Sequence, residues 1–413
     1  MSPTPSLSTF TQSEQSLNTF APRILDWFET QGRHDLPWQQ HLSNTPNPYP
    51  VWLSEVMLQQ TQVVTVLPYF ARFMASFPTV QDLANSDWEK VAEHWAGLGY
   101  YARARNLHKG AKQLADTIEQ TGNYPQTLAD WENISGVGRS TAGAIVAMGV
   151  RADTKGGAKS SEKGVICDGN VKRVLTRWAG IEGDINKADT TRELWALATR
   201  LTPATESGNY AQAMMDMGAT LCTKAKPACL LCPVQADCIA NAQGRQSNYP
   251  VKSKKLPNPT KFSLALQLTD VEGKMLWLQR PDSGIWGGLW CLPLAFMRKE
   301  KGEKIVENWQ ADSVFESEYT LAEQVIFEFL QAEKLLDFEQ IKFDDPKTIK
   351  HGLTHFHWFL TAHPIQLSQN QIQRLEQKLT QATQSFQWLS LEAIQKTAIP
   401  KAMHKVINTM VTA

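Results

Sequence analysis

Two carboxylates stand where a carboxylate is hard to explain without a task. In "VWLSEVMLQQTQV" (51–63), the residues three and four positions from Glu55 are Val51, Trp52, Leu58 and Gln59. Helical spacing sets this carboxyl on an apolar face, where an unpaired charge is costly. It must therefore be partnered, neutral or at work, and burial that raises its pKa would keep a proton on it for general-acid use. Asp168 opens "DGNVKRV" (168–174). A carboxylate at a helix start caps exposed amides and is favoured by the helix dipole, so this one is expected to stay an anion.

A third group of reactive side chains lies further on. Cys222, Cys229, Cys232 and Cys238, in "CTKAKPACLLCPVQADC", are separated by six, two and five residues. Thiols this close in an intracellular chain point to metal ligands rather than disulfides. Zinc is one candidate, but Cys₄ zinc sites usually present two CxxC pairs and only one is present here. A compact loop around a [4Fe–4S] cluster fits the spacing better. Cys167 and Cys291 stand apart and read as buried thiols.

These groups need elements to hold them. "LADWENISGVGRSTAGAI" (128–145) reads as a helix, a Gly-x-Gly turn and a second helix opening near Arg139. The amides of Gly136, Val137 and Gly138 would then form a phosphate cradle at a helix N-terminus. From residue 21 to 245 the apolar spacing is helical throughout, broken by short Gly, Pro and Asn punctuation. Residues 151–164, "RADTKGGAKSSEKG", interrupt it and read as an inserted surface loop. "SNYPVKSKKLPNPTK", within 246–261, is a Pro- and Lys-rich linker. After it, alternation in "FSLALQLTD" signals a strand, "VEG" a hairpin turn and "THFHWFLTA" another strand. The predicted fold is a mainly α region followed by an α+β domain over 262–413.

A chain of 413 residues is long for one core, which agrees with two domains. Its 41 basic and 41 acidic residues balance, so any nucleic-acid contact must come from local clusters such as Arg103, Arg105 and Lys172. Residues 1–20 are Ser/Thr-rich and read as a disordered tail with no signal peptide. No apolar run is long enough to span a bilayer. The expected location is the cytoplasm, at the nucleoid, without membrane partners.

The order of these features resembles the helix–hairpin–helix DNA glycosylases of the endonuclease III superfamily. In detail the chain is similar to the adenine DNA glycosylases of the MutY type. The segments that carry this are "VWLSEVMLQQTQV", "WAGLGYYARARNLHKGA", "GVGRSTAGAI", "DGNVKRVL", "NYAQAMMDMGATLCT" and, past the linker, "QRPDSGIWGGLWCLP". The likeness covers nearly all of the chain outside the tail, the 151–164 loop and part of the C-terminal region.

The resemblance implies a base-excision enzyme with two helical subdomains, a [4Fe–4S] loop at 222–238 and a Nudix-like lesion-reading domain. Glu55 would protonate a flipped adenine, and Asp168, assisted by Asn170, would stabilise the positive charge on the sugar. Superfamily members that also cut the backbone carry a lysine where this chain has Ser140, so strand cleavage should be slight. Gly136, Val137, Gly138, Ser140, Arg103, Arg105 and Lys172 would meet the phosphates. Gln60, Thr61, Leu98 and Tyr100 would surround the base opposite the adenine, and Gln212 would touch the adenine itself. Thr354 and His355 would read that opposite base as 8-oxoguanine, although Leu353 replaces the family's aromatic residue. The substrate would be duplex DNA with A opposite 8-oxoguanine or, less readily, G, bound by a monomer. The rival readings are a relative with another target base, a DNA-scanning protein without catalysis, and a nucleotide-pyrophosphate hydrolase.

Overall fold

The computed structural model describes residues 11–43, 45–150, 162–253, 258–281, 284–297, 320–336, 348–353, 356–382, 385–395 and 397–411. The chain divides into two compact units. The first holds Met1–Ser86 and Arg105–Lys255, and the second Asp87–Ala104 and Leu256–Ala413.

The first unit is helical, as its apolar spacing requires. Along the chain run α1 (Glu14–Gln31), α2 (Pro48–Leu58), α3 (Val63–Ser76) and α4 (Val80–Ala84). Next, α5 (Trp88–Trp95) belongs to the second unit, and α6 (Tyr101–Thr121) begins there and continues into the first. Then follow α7 (Leu128–Glu132), α8 (Arg139–Gly149), α9 (Gly169–Ala179), α10 (Ala188–Leu201), α11 (Ser207–Asp216) and α12 (Ile239–Ala242). The centre is α8, whose residues from Ala142 to Gly149 are all buried and which packs against α2, α7 and α11. A helix apolar on every side has to be internal.

The N-terminal boundary differs from the sequence reading. Helix α1 begins at Glu14, inside the stretch read as a disordered tail, with the Ser13 hydroxyl accepting the Ser16 N–H. Leu17, Phe20, Ala21, Ile24 and Phe28 form its buried ridge, and Phe20 meets Trp178 edge-on at 4.5 Å. Ser/Thr-rich composition concealed an N-cap and a helical ridge. Part of the stretch read as a linker is also packed. Tyr249 is buried, and the Ile185 N–H donates to the Val251 carbonyl at 3.1 Å. Of the 151–164 loop, residues 151–161 lie outside the described residues.

The second unit is built on a mixed sheet of β1 (Thr260–Thr269), β2 (Met275–Gln279), β3 (Trp290–Cys291), β4 (Leu294–Met297), β5 (Ile349–Gly352), β6 (His357–Gln366) and β7 (Phe386–Leu389). Its order is β3-β2-β1-β6-β5, with β4 paired to β1 and β7 to β2. β1 and β6 run parallel in register from Thr260↔His357 to Thr269↔Gln366. The alternation in β1 sorts its residues between two cores. Leu264, Leu266 and Leu268 pack with α13 (Leu321–Ala332) and α14 (Gln369–Gln381), while Ala265 joins Trp277, Trp358 and the residues of α16 (Lys401–Val411). The remaining short helix, α15 (Leu391–Gln395), adds Ile394 to this second core.

Candidate active site

Glu55 is the sole charged side chain of α2. The helix starts on Pro48, capped by the Asn47 side chain, which accepts the Tyr49 N–H at 3.0 Å. Val51, Trp52, Leu53, Val56 and Met57 are fully or nearly fully buried around it. Glu55 itself keeps some accessible surface, yet its carboxyl is enclosed by protein. Burial, and secondly the charge of Asp168, pushes it up to about 8.

Asp168 is the N-cap of α9 and accepts the Val171 N–H at 2.8 Å. Burial raises its pKa as well, but four influences oppose that rise: the N–H groups of Val171 and Asn170 and the charges of Arg173 and Lys172. Among the described residues, no such donor or cation stabilises Glu55 as an anion. When two neighbouring carboxyls compete for one proton, the proton goes to the member whose anion is worse solvated. Here that is Glu55, and Asp168 is the member better able to hold the negative charge.

The helix–hairpin–helix element is the α7 and α8 pair with its turn. Gly136 has φ of 81°, and a Cβ there would lie 2.7 Å from the Asn106 Cβ, so the turn requires glycine. The amides of Gly136 and Gly138 have no hydrogen-bond partner among the described residues. Val137 corrects the expected cradle, because its N–H already donates to the Ile134 carbonyl at 3.0 Å. The Ser140 hydroxyl accepts the Cys167 N–H at 3.0 Å. It thereby ties the hairpin to the residue just before Asp168.

Asn170 and Arg173 link α9 to the cysteine loop. Arg173 donates to Asn170 Oδ1 (2.8 Å), the Gly218 carbonyl (2.7 Å) and the Cys222 carbonyl (2.8 Å). Gly218 lies in a π turn, Met217–Leu221, where a Cβ would come within 2.6 Å of the Asn170 Cβ. Arg177, one turn further along, is buried and donates to the carbonyls of Thr223 (2.7 Å) and Lys224 (3.1 Å) and to Cys222 Sγ (3.3 Å). Both arginines are thus engaged inside the protein. Lys172, half-buried, contributes its charge to Asp168.

Cys222, Cys229, Cys232 and Cys238 are free thiols lining one apolar cavity with Val174, Leu221 and Val234. Gln246 Nε2 approaches Cys229 Sγ at 3.7 Å. Among the described residues, no group of three or more His, Cys, Asp or Glu is placed to hold a metal ion. The donor set nevertheless suits a larger thiolate-bound group, because four free thiols line one apolar cavity with polar donors aimed at two of the sulfurs.

The expected base readers divide between the units. In the first unit Gln60 is exposed with φ of 60°, a conformation uncommon for a side-chain-bearing residue, and Thr61 follows it half-buried. Gln212 is buried, its Nε2 donating to Asp216 Oδ1 at 2.7 Å. In the second unit Tyr100 has φ of 51° and is 51% exposed, so it is not a core aromatic. Strained, exposed residues of this kind cluster at functional sites.

Two expectations for the segment around Tyr100 are corrected. Leu98 is buried, so its side chain belongs to the core. Arg103 is only 9% exposed, stacks on Trp95 and Tyr100 at 5.6 and 5.3 Å, and reaches toward the Leu98 and Gly99 carbonyls. Burial lowers its pKa to about 10. It braces the Tyr100 turn and is not presented to a phosphate. Arg105 is half-buried. Thr354 and His355 lie outside the described residues, and Leu353 packs on the core around Phe356 and Trp358.

Sequence reasoning missed three features. Arg139, exposed at the start of α8, stacks on Trp195 at 4.0 Å. Arg33 holds Asp216 through its side chain and backbone. His41 has two buried ring nitrogens without hydrogen-bond partners among the described residues. Arg33 and Asp216 are 183 residues apart, so no local spacing could have paired them.

The HhH-GPD superfamily of base excision DNA repair proteins matches residues 53–200, and the NUDIX domain matches 264–409. Fold and site together define a helix–hairpin–helix base-excision repair protein with a Nudix-type second domain. An adenine DNA glycosylase of Buchnera aphidicola (from Acyrthosiphon pisum) is 36% identical over 283 residues, covering 68% of this chain and 75% of that protein. The rat adenine DNA glycosylase is 35% identical over 325 residues, covering 67% of this chain and 60% of its own length. The chain belongs to the adenine DNA glycosylase family. Among solved structures, a thermostable thymine-DNA glycosylase aligns with 55% of this chain and 98% of its own at 23% identity and a TM-score of 0.46.

Proposed function

We propose that this chain hydrolyses the N-glycosidic bond of adenine mispaired with 8-oxoguanine, and less readily with G, in duplex DNA. The observation that carries the reading is the unequal pair of carboxyls. Glu55, pushed up to about 8, holds a proton at neutral pH, while amides and cations oppose the rise that burial imposes on Asp168 and so favour its anion. The flipped adenine takes the proton from Glu55 on a ring nitrogen and leaves with the bonding electron pair. Asp168 stabilises the cationic sugar, water adds to it, and the departing proton returns to Glu55, leaving an abasic site.

Ser140 offers a hydroxyl already engaged with the Cys167 amide, not an amine able to form a Schiff base, which supports a monofunctional enzyme. Gly136, Gly138, Arg105 and Lys172 are the proposed backbone contacts, with Gln60, Thr61 and Tyr100 at the opposite base and Thr354 and His355 on 8-oxoguanine. A [4Fe–4S] cluster held by Cys222, Cys229, Cys232 and Cys238 would fix the shape of the loop that carries Lys224 and Lys226. A monomer suffices for all of this. No helix among the described residues is long and apolar enough to cross a membrane.

The test is single-turnover cleavage of a labelled duplex with A opposite 8-oxoguanine, read with and without hot alkali. Strand breaks should appear only after alkali and should slow by ~10²–10⁴ in Glu55→Gln. Breaks without alkali would overturn the monofunctional reading. Undiminished excision by Glu55→Gln would remove Glu55 from the chemistry.

A further inference from the structure

The first described residues reach across the fold to the cysteine loop. Gln12 stands just before Ser13, the cap of α1, and both protons of its side-chain amide are engaged. Nε2 donates to the Trp178 carbonyl at 2.7 Å and to the Asp237 carbonyl at 2.8 Å. A carbonyl only accepts, so this amide can meet its two partners in one orientation alone. Thr11 adds a longer bond from its hydroxyl to the Ala179 carbonyl at 3.3 Å. Further along α1, Arg23 Nη1 donates to Asp237 Oδ2 at 2.6 Å. Gln12 and Arg23 lie 225 and 214 residues from Asp237, so only the folded chain brings them together.

Each acceptor belongs to the frame of the thiol cavity. Trp178 and Ala179 end α9, where carbonyls have no partner within the helix and must find one outside it. Trp178 also lines the cavity beside Cys238, and Phe20 of α1 backs its ring edge-on. Asp237 ends the 3₁₀ turn Gln235–Asp237 and directly precedes Cys238, the last of the four thiols. The Gln12 amide therefore bridges the end of α9 and the end of the cysteine loop. Arg23 ties the same loop residue to α1.

We propose that Gln12 and Arg23 form a staple that holds the Cys238 end of the loop closed and so governs how firmly the chain retains its cofactor. This rests on the [4Fe–4S] reading of the four thiols. Iron held by Cys238 is freed when that end of the loop opens, and an opening that carries Asp237 away from α9 and α1 breaks the staple. Removing a bond that exists only in the closed form raises the open population, and the release rate with it, by the net strength of that bond. Neither Gln12 nor Arg23 belongs to the proposed catalytic or DNA-contacting set. Their loss should therefore show in iron release and leave excision by the loaded protein unchanged.

The experiment follows iron release from the full, iron-loaded chain into excess ferrozine with ascorbate, without oxygen, while the visible absorbance of the protein is read in parallel. Gln12→Glu keeps the side chain's size but offers no donor, and it should speed release about fivefold, the scale of a net hydrogen bond or two. Arg23→Met keeps the packed stem and should speed release about twofold, as suits a partly exposed ion pair. The double variant should reach about tenfold if the two tethers act separately. Arg200→Met is the control. Arg200, on α10, holds the start of α1 through Glu14 and Asn18 at 3.0 and 2.7 Å, so its loss loosens α1 without touching the loop. Its release rate should match wild type. A double variant that releases iron at the wild-type rate would overturn the staple. Equal acceleration by Arg200→Met would overturn it too, since any loosening of α1 would then free the loop. A wild type that carries no iron and no acid-labile sulfide would overturn the cluster reading itself, and the staple with it.

Discussion

Helices α2 and α9 each contribute one carboxyl, and the two are built from opposite materials. Around Glu55, α2 supplies Val51, Trp52 and Val56 and no cation. Around Asp168, α9 supplies the first-turn N–H groups of Asn170 and Val171 together with Lys172 and Arg173. Both carboxyls are desolvated, yet one environment stabilises an anion and the other does not. The comparison teaches that burial alone does not assign a proton. What surrounds the buried group does, and here it separates an acid from an anion within one coupled pair.

The sharpest way to break this comparison is to neutralise the anion. Asparagine caps helices as well as aspartate does, so Asp168→Asn should leave α9 intact while removing the charge. Excision should fall by ~10²–10³, the scale of losing a transition-state electrostatic contact. Residual activity should also lose its basic limb at lower pH than wild type, because Asp168 is one of the two causes holding the Glu55 pKa up. Undiminished single-turnover rates would end the assignment of Asp168 as the anion.

Wild type supplies the next test without any substitution. If protonated Glu55 is the acid, excision should be level through neutrality and fall about tenfold per pH unit above about 8. A profile already falling at pH 5, where an ordinary glutamate deprotonates, would mean that α2 does not tune its carboxyl.

Stability offers a smaller signal with a defined sign. The Glu55 pKa in the folded chain, about 8, lies above its ordinary value of 4.5. A raised pKa favours folding fully below the unfolded value, and that contribution is lost as pH climbs through the folded value. Glutamine cannot ionise, so Glu55→Gln should match wild type near pH 4 and gain roughly 2–3 kcal/mol by pH 8.5. That figure is discounted from the full shift for the accessible part of Glu55. Urea melts at the two pH values give the difference, and an equal difference at both would show that the carboxyl is not desolvated.

The chemistry-bearing residues were legible in the sequence because each breaks a local rule. Glu55 interrupts an apolar face, Asp168 opens a helix, and four cysteines crowd into one loop. The strand grammar after the linker was legible for the same reason, through its change of period. What stayed hidden depended on direction or distance. Arg103 and Arg177 carry a charge that reads as surface, but each folds inward, Arg103 toward the Leu98 and Gly99 carbonyls of the turn just before it and Arg177 onto carbonyls of the cysteine loop that only tertiary structure brings close. Val137 gives its amide to the turn's own closure, which a Gly-x-Gly pattern does not reveal. The first helical turn of α1 was masked by Ser and Thr, which are as common in caps as in disordered tails.

The mildest test returns to the two helix starts. Asn47 caps α2 as Asp168 caps α9, each accepting a backbone N–H from its own first turn. As caps they do the same structural work, so Asn47→Ala should cost about 1 kcal/mol of stability. Its excision rate should stay within about twofold of wild type below the melting range, because Asn47 lies two turns before Glu55 and its loss leaves the apolar wall of α2 standing. That outcome would isolate the chemical part of Asp168, since two caps of equal structural worth would differ only in what their loss does to excision. If Asn47→Ala instead slowed excision as strongly as Asp168→Asn, fraying at a helix start would suffice to explain both losses. The division between an acid held by α2 and an anion held by α9 would then lose its support.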